Sequence, residues 1–410
     1  MATDNKDKVL NVPTLRFPKF SDEWELHPTT DYFEFKNGLN PDAKRFGTGT
    51  KFISVMDILN NRFITYDKII GSVEPKGREL EDFGVNYGDV LFQRSSETLE
   101  DVGRANVYLD NKTALFGGFV IRGKKIGNYN PLFFRYLLSS PNVRKRIIVK
   151  GAGAQHFNIG QDGLSKVSLL VPKEEEQKRI GELLNLIDER IEAQIRIIED
   201  LEALRRYIHN LVFAKKSLAF GNRQRIKLSE IATKITKKNK ESQITNVLSN
   251  SATMGIVSQS VVFDKEIANE DNTSSYYVIE PGDFVYNPRK SSSAPFGPIN
   301  IYTGTECGII SPLYLCFRVN GVDVDYLAHY FKSDAWHQYI YNNGDTGVRH
   351  DRVSIKDETF MDMPLFIHTV ENQHKIVALM SSMDKKIAFE KSYMKNLKLQ
   401  KQFLLSSLFV

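Results

Sequence analysis

The sequence is poor in cysteine and has no long apolar run. Its two cysteines, Cys307 and Cys316, are too few for a disulfide framework and lack the companions that a zinc site needs, so we expect buried or inert thiols. No apolar run approaches the ~20 residues of a membrane span. Residues 1–8 are polar and charged, which argues against an export signal. We therefore expect a cytoplasmic protein.

Length and charge set further bounds. The chain has 410 residues, enough for two or three domains, and its composition, 41% hydrophobic and 26% charged, is that of an ordinary globular protein. The net charge is +5, and basic residues crowd into Arg144–Arg146 with Lys150 and into 215–240, where Glu230 is the single acid. Such runs are compatible with a nucleic-acid partner, but alone they favour a solvated linker.

The chain repeats itself internally. Segments of its first half recur about 195 residues later, at a nearly constant separation. The matched pairs are Gly88–Phe92 with Gly282–Tyr286, Phe134–Leu137 with Ala328–Phe331, Gln177–Ile180 with Gln373–Ile376, and Leu201–Phe213 with Leu397–Phe409. One module has therefore been duplicated, and each copy consists of a front followed by a tail.

The two fronts begin near Trp24 and Ile226 and have the pattern of mixed α/β domains. Short alternating runs rich in Val, Ile, Phe and Tyr are separated by Gly, Asn and Pro, which is typical of strands joined by turns. The predicted strands include Lys51–Val55, Val90–Gln93, Phe119–Arg122 and Ser311–Val319, and the predicted short helices lie near Pro131–Leu138 and Val324–Lys332. We expect each front to be a compact α+β domain.

The two tails carry a heptad pattern, which predicts long helices. From Glu174 to Phe213 there is no proline and one glycine, Gly181, and apolar residues recur at alternating steps of three and four. The first stripe is Ile180, Leu184, Ile187, Ile191, Ile198, Leu201, Ile208 and Val212; the second is Ile376, Met380, Met383, Ile387, Met394, Leu397, Leu404 and Leu408. Forty residues of helix would span ~60 Å.

Such stripes are buried most simply against each other, as an antiparallel coiled coil within one chain. The heptads permit partner numbers that sum to 588 or to 595. We predict 595, because it pairs the polar interruptions, Arg205 with Glu390 and Gln194 with Lys401, instead of burying them against apolar side chains. The alternative is that the tails are two ordinary helices of a larger core.

The predicted fold class is therefore α+β, with two similar mixed α/β fronts separated by two long antiparallel helices in a pseudo-twofold repeat. The predicted boundaries are an N-terminal arm at 1–23, the first front at 24–172, a central helix at 173–216, the second front at 217–367 and a C-terminal helix at 368–410.

These features resemble the specificity subunit of bacterial type I restriction-modification enzymes. The resemblance covers essentially the whole chain and depends on Val12–Phe20 followed by Trp24-Glu25, on the two Gly-Asp segments, and on Leu169–Pro172 leading into Glu176-Gln177. It implies that each front is a target recognition domain for one half of a split site in double-stranded DNA. It also implies a non-catalytic chain that docks two methylation subunits on its helices and joins restriction subunits in the full complex. S-adenosylmethionine, ATP and magnesium would be used by those partners, and this chain would hold no cofactor.

Two segments of each front have the side chains that read DNA. Arginine and lysine reach guanine, and asparagine and glutamine reach adenine, while glycines let the backbone approach phosphates. Because the fronts differ outside their framework, we expect an asymmetric bipartite target. The candidate contacts are Arg94, Ser95, Ser96, Arg104, Gln155, His156 and Asn158 in the first front, and Asn287, Arg289, Lys290, Ser291, Arg349, His350 and Arg352 in the second. Each of these could instead belong to an ordinary solvated loop.

The sequence contains partial matches to catalytic motifs, but each match lacks a residue that the chemistry requires. The Walker-like run Gly118–Lys124 has Lys125 where Ser or Thr must hold magnesium, and Asn287-Pro288-Arg289 lacks the second proline and the aromatic residue of an amino-methyltransferase loop. The eight histidines show no metal-ligand spacing. The main rival from another class is a coiled-coil scaffold whose two domains bind proteins.

Overall fold

The computed structural model describes residues 11–153, 156–214, 217–259, 270–345 and 351–410. The chain divides into two compact units. Unit 1 comprises Met1–Arg196 with Lys391–Val410, and unit 2 comprises Ile197–Glu390. Each unit therefore contains one front together with part of each long helix.

The described residues of unit 1 form four small sheets. Their strand orders are β2-β9-β5-β7, β4-β3-β8, β1-β11 and β6-β10. The strands are β1 (Glu25–Pro28), β2 (Phe33–Asn37), β3 (Phe46–Ile53), β4 (Ser72–Val73), β5 (Val90–Gln93), β6 (Ser95–Ser96), β7 (Ala105–Val107), β8 (Leu115–Phe116), β9 (Val120–Lys125), β10 (Phe157–Asn158) and β11 (Ser168–Val171). The helices are α1 (Val55–Asn60), α2 (Glu79–Phe83), α3 (Pro131–Leu137), α4 (Pro141–Ile148), α5 (Gln161–Ser165) and α6 (Glu174–Phe213), the last entering unit 2 after Arg196.

Unit 2 has a closely similar plan. Its strand orders are β13-β20-β17-β18, β15-β14-β19-β16 and β12-β21. The strands are β12 (Arg223–Lys227), β13 (Ala232–Lys234), β14 (Val247–Ser251), β15 (Gly255–Ser258), β16 (Tyr277–Ile279), β17 (Phe284–Tyr286), β18 (Ile299–Ile301), β19 (Gly308–Ile310), β20 (Leu315–Val319) and β21 (Pro364–His368). The helices are α7 (Leu228–Ile231), α8 (Val324–Phe331), α9 (His337–Asn343), α10 (Asp357–Met361) and α11 (Val370–Ser407), the last entering unit 1 after Glu390.

The predicted α+β class and internal repeat are confirmed, and the boundaries of the strands predicted at 51–55 and 311–319 are corrected. The strand predicted at 51–55 ends at Ile53, because the Ser54 amide and hydroxyl donate to Asp57 Oδ2 (2.7 Å each) in a capping box that starts α1. The strand predicted at 311–319 begins only at Leu315, since the Tyr314 amide donates to Ser311 O (3.1 Å) in a turn. Turn chemistry took precedence over apolar alternation in both places.

The duplicated Gly-Asp segments are structural turns that lead into β5 and β17. Gly88 and Gly282 have φ values of 92° and 93°, which favour glycine. The following aspartates are buried and accept backbone amides that close the turn. Asp89 accepts the amides of Asn86 (2.9 Å) and Lys125 (2.8 Å), and Asp283 accepts the amide of Glu280 (2.6 Å). This local requirement explains why the two residues recur together in both fronts.

A buried glutamine joins each front to the first turn of its long helix. In unit 1, Gln177 donates from Nε2 to Pro172 O (2.9 Å) and accepts at Oε1 from the Asn130 amide (2.9 Å). In unit 2, Gln373 donates to His368 O (2.8 Å) and accepts from the Asp323 amide (3.0 Å). Asn130 and Asp323 are the N-caps of α3 and α8.

The opening segment Val12–Phe20 lies in unit 1 against both long helices. Arg16 donates from Nε and Nη2 to the two carboxylate oxygens of Glu176 (2.8 and 2.7 Å), a buried acid in the first turn of α6. The amide of Leu15 donates to Ser407 O (2.9 Å) at the end of α11. Trp24 is buried against Phe133 and Phe409, with ring centroids 5.9 and 6.3 Å apart. The sequence signature of the opening segment is thus a packing requirement.

Within each unit the two helix segments are antiparallel. In unit 1, Asp188 pairs with Lys401 (2.6 Å) and Arg190 lies over the ring of Tyr393 (5.5 Å), so numbers rise along α6 as they fall along α11. The core of unit 1 contains Ile180, Leu184, Leu404 and Leu408, and that of unit 2 contains Val212, Ile376 and Met380. The predicted stripes therefore pack on each other and on the front.

The predicted helix register, 595, is wrong. The ion pairs are Arg205 with Asp384 in unit 2 and Lys401 with Asp188 in unit 1, and both sum to 589, next to the rejected value of 588. The 595 register requires the polar interruptions of the two stripes to face each other. Instead, an aspartate beside each apolar stripe pairs with the cation, so the register with fuller overlap carries no unpaired charge at these two positions.

The two cysteines differ in environment. Cys316 is buried in β20, and burial raises the pKa of its thiol to about 12, whereas Cys307 is exposed. Among the described helices, none combines the length and apolar character that a bilayer crossing requires.

Replacing Gln373 with leucine should destabilise unit 2. The substitution leaves the buried His368 carbonyl and Asp323 amide without their partner, and each lost bond of this kind costs about 1–3 kcal/mol. We expect a lower denaturation midpoint in urea. Gln224→Leu, at an exposed position of β12 in the same unit, is the control. Equal midpoints for the two variants would contradict the structural role of Gln373.

The stability of unit 2 should fall as the medium is acidified. Burial lowers the pKa of His329 to about 4, and it also lowers the pKa values of His209, His337 and His368. Between the ordinary histidine value and these lowered values, the unfolded state binds more protons, so the free energy of unfolding decreases as the pH falls. For His329 alone the loss approaches about 3 kcal/mol across that window.

The His329→Gln variant should flatten the dependence of unfolding free energy on pH between about pH 4 and 6.5. His374→Gln, an exposed position of the same unit, is the control. A slope that is identical in wild type and His329→Gln would show that His329 does not contribute to the acid sensitivity.

Candidate nucleic-acid interface

In unit 1, the two candidate segments that are distant in sequence lie side by side. Strand β6, which follows directly on Arg94, pairs antiparallel with β10, so that Ser95 faces Asn158 and Ser96 faces Phe157. The Ser95 hydroxyl donates to Asn158 Oδ1. We call the residues 94–96 and 156–158 the unit 1 surface.

The side chains of the unit 1 surface are held without being buried. Arg94 is exposed, and its Nη1 lies 3.3 Å from Gly118 O as a donor. His156 and Asn158 are also exposed, and Asn158 Nδ2 donates to His156 O (3.3 Å). Ser96 Oγ accepts the Thr98 amide (3.2 Å). Exposed hydrogen-bond donors held on a fixed pair of strands are well placed to contact a polar ligand. Gln155 lies outside the described residues.

Arg104 lies beside this surface rather than in it. Its carbonyl accepts the Gln93 amide (2.8 Å), while its exposed guanidinium pairs with Asp101 (2.6 Å). Arg104 therefore lies at the end of the β5–β7 pair, next in sequence to the unit 1 surface, and its charge is partly matched.

Sequence reasoning missed Phe119 as a neighbour of this surface. The Phe119 side chain is 69% exposed, and its carbonyl accepts the Arg94 amide (2.9 Å). The sequence placed Phe119 within an alternating strand, where an aromatic residue is expected to be buried. The strand begins one residue later, at Val120, and Phe119 stays outside the sheet. A signal was available in the preceding Gly117-Gly118, which favours a turn.

Unit 2 brings its two candidate segments together in the same way. Arg289 and Arg352 form an antiparallel bridge, the Lys290 amide donates to Asp351 O (2.8 Å), and the Val353 amide donates to Pro288 O (3.0 Å). We call the residues 287–291 and 351–352 the unit 2 surface. Arg349 and His350 lie outside the described residues.

The side chains of the unit 2 surface differ from those of unit 1. Arg289 and Ser291 are exposed, whereas Lys290 and Arg352 are half-buried. Arg352 Nε lies 3.5 Å from an Asp351 carboxylate oxygen. Asn287 accepts the Arg289 amide at Oδ1 (3.0 Å) and donates from Nδ2 to Asn250 O (2.9 Å), so its amide shapes the turn that presents Arg289. One backbone arrangement thus carries two different sets of polar groups.

This architecture defines a class of protein: an internally duplicated α+β chain whose two units each present a polar two-strand surface and share long paired helices. Residues 21–203 match the family described as "Type I restriction modification DNA specificity domain". The resemblance to type I specificity subunits that the sequence predicted is thereby confirmed.

Two curated proteins are similar over parts of the chain. The EcoKI specificity subunit of Escherichia coli is 27% identical over 169 residues, covering 40% of this chain and 36% of that protein. The putative MjaX specificity subunit of Methanocaldococcus jannaschii is 23% identical over 232 residues, covering 55% of this chain and 53% of that protein. The chain therefore spans about a third to a half of the length of these relatives.

Solved structures share the fold over nearly the whole length. The S subunit of a type I restriction-modification system from M. genitalium has a TM-score of 0.51 at 16% identity, covering 97% of this chain and 99% of that one. The HsdS subunit from Thermoanaerobacter tengcongensis has a TM-score of 0.52 at 15% identity, covering 94% and 96%. At such low identity these likenesses concern the fold alone.

Proposed function

We propose that this protein is the non-catalytic DNA specificity subunit of a cytoplasmic type I restriction-modification complex. Its unit 1 and unit 2 surfaces read the two unlike halves of an asymmetric, bipartite site in double-stranded DNA. Two methylation subunits dock on its long helices, and restriction subunits complete the complex. The partners use S-adenosylmethionine, ATP and magnesium, and this chain supplies only the sequence recognition.

The observation that carries the proposal is the pairing of two candidate segments in each unit. The segment after the Gly-Asp strand lies against a segment about 60 residues later in both copies. The framework is repeated, but the exposed groups are not: one surface exposes Arg94, His156 and Asn158, and the other exposes Arg289, Ser291 and Asp351. Two DNA-reading surfaces of different chemistry would select two different half-sites.

The exposed faces of the long helices support docking of protein partners. In unit 1, Leu186 and Phe403 are each 61% exposed, and in unit 2, Tyr207 and Phe389 are 65% and 64% exposed. These large apolar side chains lie outside the buried stripes. Apolar groups clustered on a helix face commonly mark a protein interface. Tyr207 and Phe403 occupy equivalent places in the internal repeat, which fits one methylation subunit on each unit.

Alanine substitution at Arg94 and Arg289 should separate the two half-sites. We expect Arg94→Ala to relax the methylated sequence in one half only and Arg289→Ala in the other, with the affinity for the original site lowered about 10- to 100-fold. The measurement is methylome sequencing of cells that carry the complete system, together with binding of the purified complex to DNA. Arg78→Ala and Arg225→Ala, at exposed arginines outside the two surfaces, are the controls.

Two results would contradict this proposal. Unchanged affinity and methylated sequence in both variants would remove these surfaces from the DNA interface. If the affinity for the binding partners does not fall steeply as the salt concentration rises, the coiled-coil scaffold is favoured instead. Release of counterions makes the affinity for DNA strongly dependent on salt.

Serine at Tyr207 or at Phe403 should weaken association of the methylation subunits. Each substitution removes exposed apolar area without touching the buried stripe, so we expect each single variant to retain one subunit and the double variant to lose both. The measurement is the mass of the assembled complex in solution. Lys398→Ser, at an exposed position of α11, is the control. A full complement of subunits on the double variant would place the docking site elsewhere.

A further inference from the structure

Unit 1 contains a cavity with three arginines in its wall. Arg104, Arg135 and Arg144 line a space of about 320 Å³ together with Ser139 and apolar side chains. The three residues come from different elements: Arg135 from α3, Arg144 from α4, and Arg104 from the turn before β7. We call this space the arginine cavity.

Arg144 is fixed in place and has unused donor capacity. Its Nη2 donates to Glu100 O (2.8 Å) and Val102 O (2.7 Å). Its Nη1 is buried and has no hydrogen-bond partner in the described part of the chain. A buried, unpaired guanidinium donor is costly, since a charged group loses its hydration without compensation. Such a group points to a ligand that the protein is built to receive.

Arg135 is held in a similar way, by neutral oxygens. Its Nε donates to Arg62 O (2.8 Å) and its Nη1 to the Ser139 hydroxyl. Within the described residues no carboxylate lies within ion-pair distance of Arg135 or Arg144. In the part of the chain that the structure describes, Glu100 lines the cavity without forming such a pair with either arginine, and Asp101 is paired with Arg104.

Electrostatics favour an anion at this place. Burial and, to a smaller extent, the charge of Arg104 lower the pKa of Arg144 to about 10, while Asp101 acts in the opposite direction. Burial likewise lowers the pKa of Arg135, while Tyr136 and Asp188 act to raise it and the charge of Arg104 acts to lower it. Three cations stand here beside two acids, Glu100 and Asp101, and an anion between the arginines would reduce their mutual repulsion and supply an acceptor for the unpaired Arg144 donor.

The duplicated module offers an internal comparison. The position of Arg135 is occupied in unit 2 by His329, a buried histidine whose pKa is lowered to about 4 and which is therefore neutral near pH 7. The framework consequently tolerates a neutral side chain at this place. The arginine of unit 1 is thus not required by the fold that both copies share.

We propose that the arginine cavity is a phosphate-binding site. The planar guanidinium fork matches phosphate oxygens in pairs, which suits a phosphate better than a spherical anion. Resting on the proposed function, we assign the phosphate to the backbone of the bound DNA, because Arg104 is joined through its carbonyl to Gln93, immediately before the unit 1 surface. The contact anchors the duplex and carries no sequence preference.

The test compares the full-length wild type with Arg104→Gln, Arg144→Gln and the control Lys145→Gln. Lys145 is an exposed cation in α4, next to Arg144 but outside the cavity, so its substitution makes the same change in net charge. The first measurement is DNA affinity over a range of salt concentrations, on both specific and unrelated duplexes. The second is the thermal midpoint with and without inorganic phosphate.

We expect each arginine variant to weaken binding to both kinds of duplex by about tenfold and to reduce the slope of log affinity against log salt by about 1, since one phosphate contact is lost. Lys145→Gln should keep the wild-type slope. Inorganic phosphate should raise the thermal midpoint of wild type and Lys145→Gln but not of Arg144→Gln. If Arg144→Gln fails to fold, the exposed Arg104 carries the comparison.

Two outcomes overturn the proposal in distinguishable ways. If wild type binds DNA and the arginine variants match Lys145→Gln in slope and in phosphate response, the cavity is not a phosphate site and the proposed function stands. If wild type does not bind DNA while phosphate still stabilises wild type and not Arg144→Gln, the ligand is a free phosphate, and both the assignment to DNA and the proposed function fail.

Discussion

Each unit depends on the buried apolar contact between its front and its two helix segments. In unit 1, one apolar core contains Trp24, the aromatic residues of α3 and the helix residues Ile180, Leu184, Leu404 and Leu408. In unit 2, the core contains the aromatic residues of α8 and the helix residues Val212, Ile376 and Met380. Burial of aliphatic side chains is non-directional, so it does not by itself set how a front sits on its helices. That orientation comes from the glutamine bridges, Gln177 and Gln373, whose hydrogen bonds are directional and shielded from water.

The duplicated framework and the divergent surfaces separate two kinds of constraint. Recurring residues, such as the Gly-Asp turns, the bridging glutamines and the aspartates that pair with Arg205 and Lys401, all have a structural partner within their own unit. The two surfaces where distant strand segments meet are among the places at which the copies differ. A protein that must recognise two unlike ligands with one architecture is expected to distribute its sequence variation in this way.

The sequence predicted the long helices and the repeat well, because a period of three to four residues over 40 positions is a strong signal. The predicted helix register was wrong. The sequence pattern paired the polar residues within the two stripes with each other, whereas in the structure Arg205 and Lys401 pair with aspartates that lie beside the stripes. It also failed to place the two candidate segments of each front together. Contact between β6 and β10 depends on tertiary folding, and a two-residue strand leaves almost no periodicity. The exposure of Phe119 was not predicted for a related reason: it depends on the residue at which β9 begins.

The glutamine bridges also determine what a front must provide in order to be mounted on the helices. Both ends of each bridge meet backbone atoms: the carbonyls of Pro172 and His368, and the amides of Asn130 and Asp323. A backbone group is present whatever side chain the residue carries. The glutamine bridge therefore constrains the backbone position of the front and almost nothing of its sequence. Recombination could for this reason exchange one front for another while the hydrogen bonds of the bridge are kept.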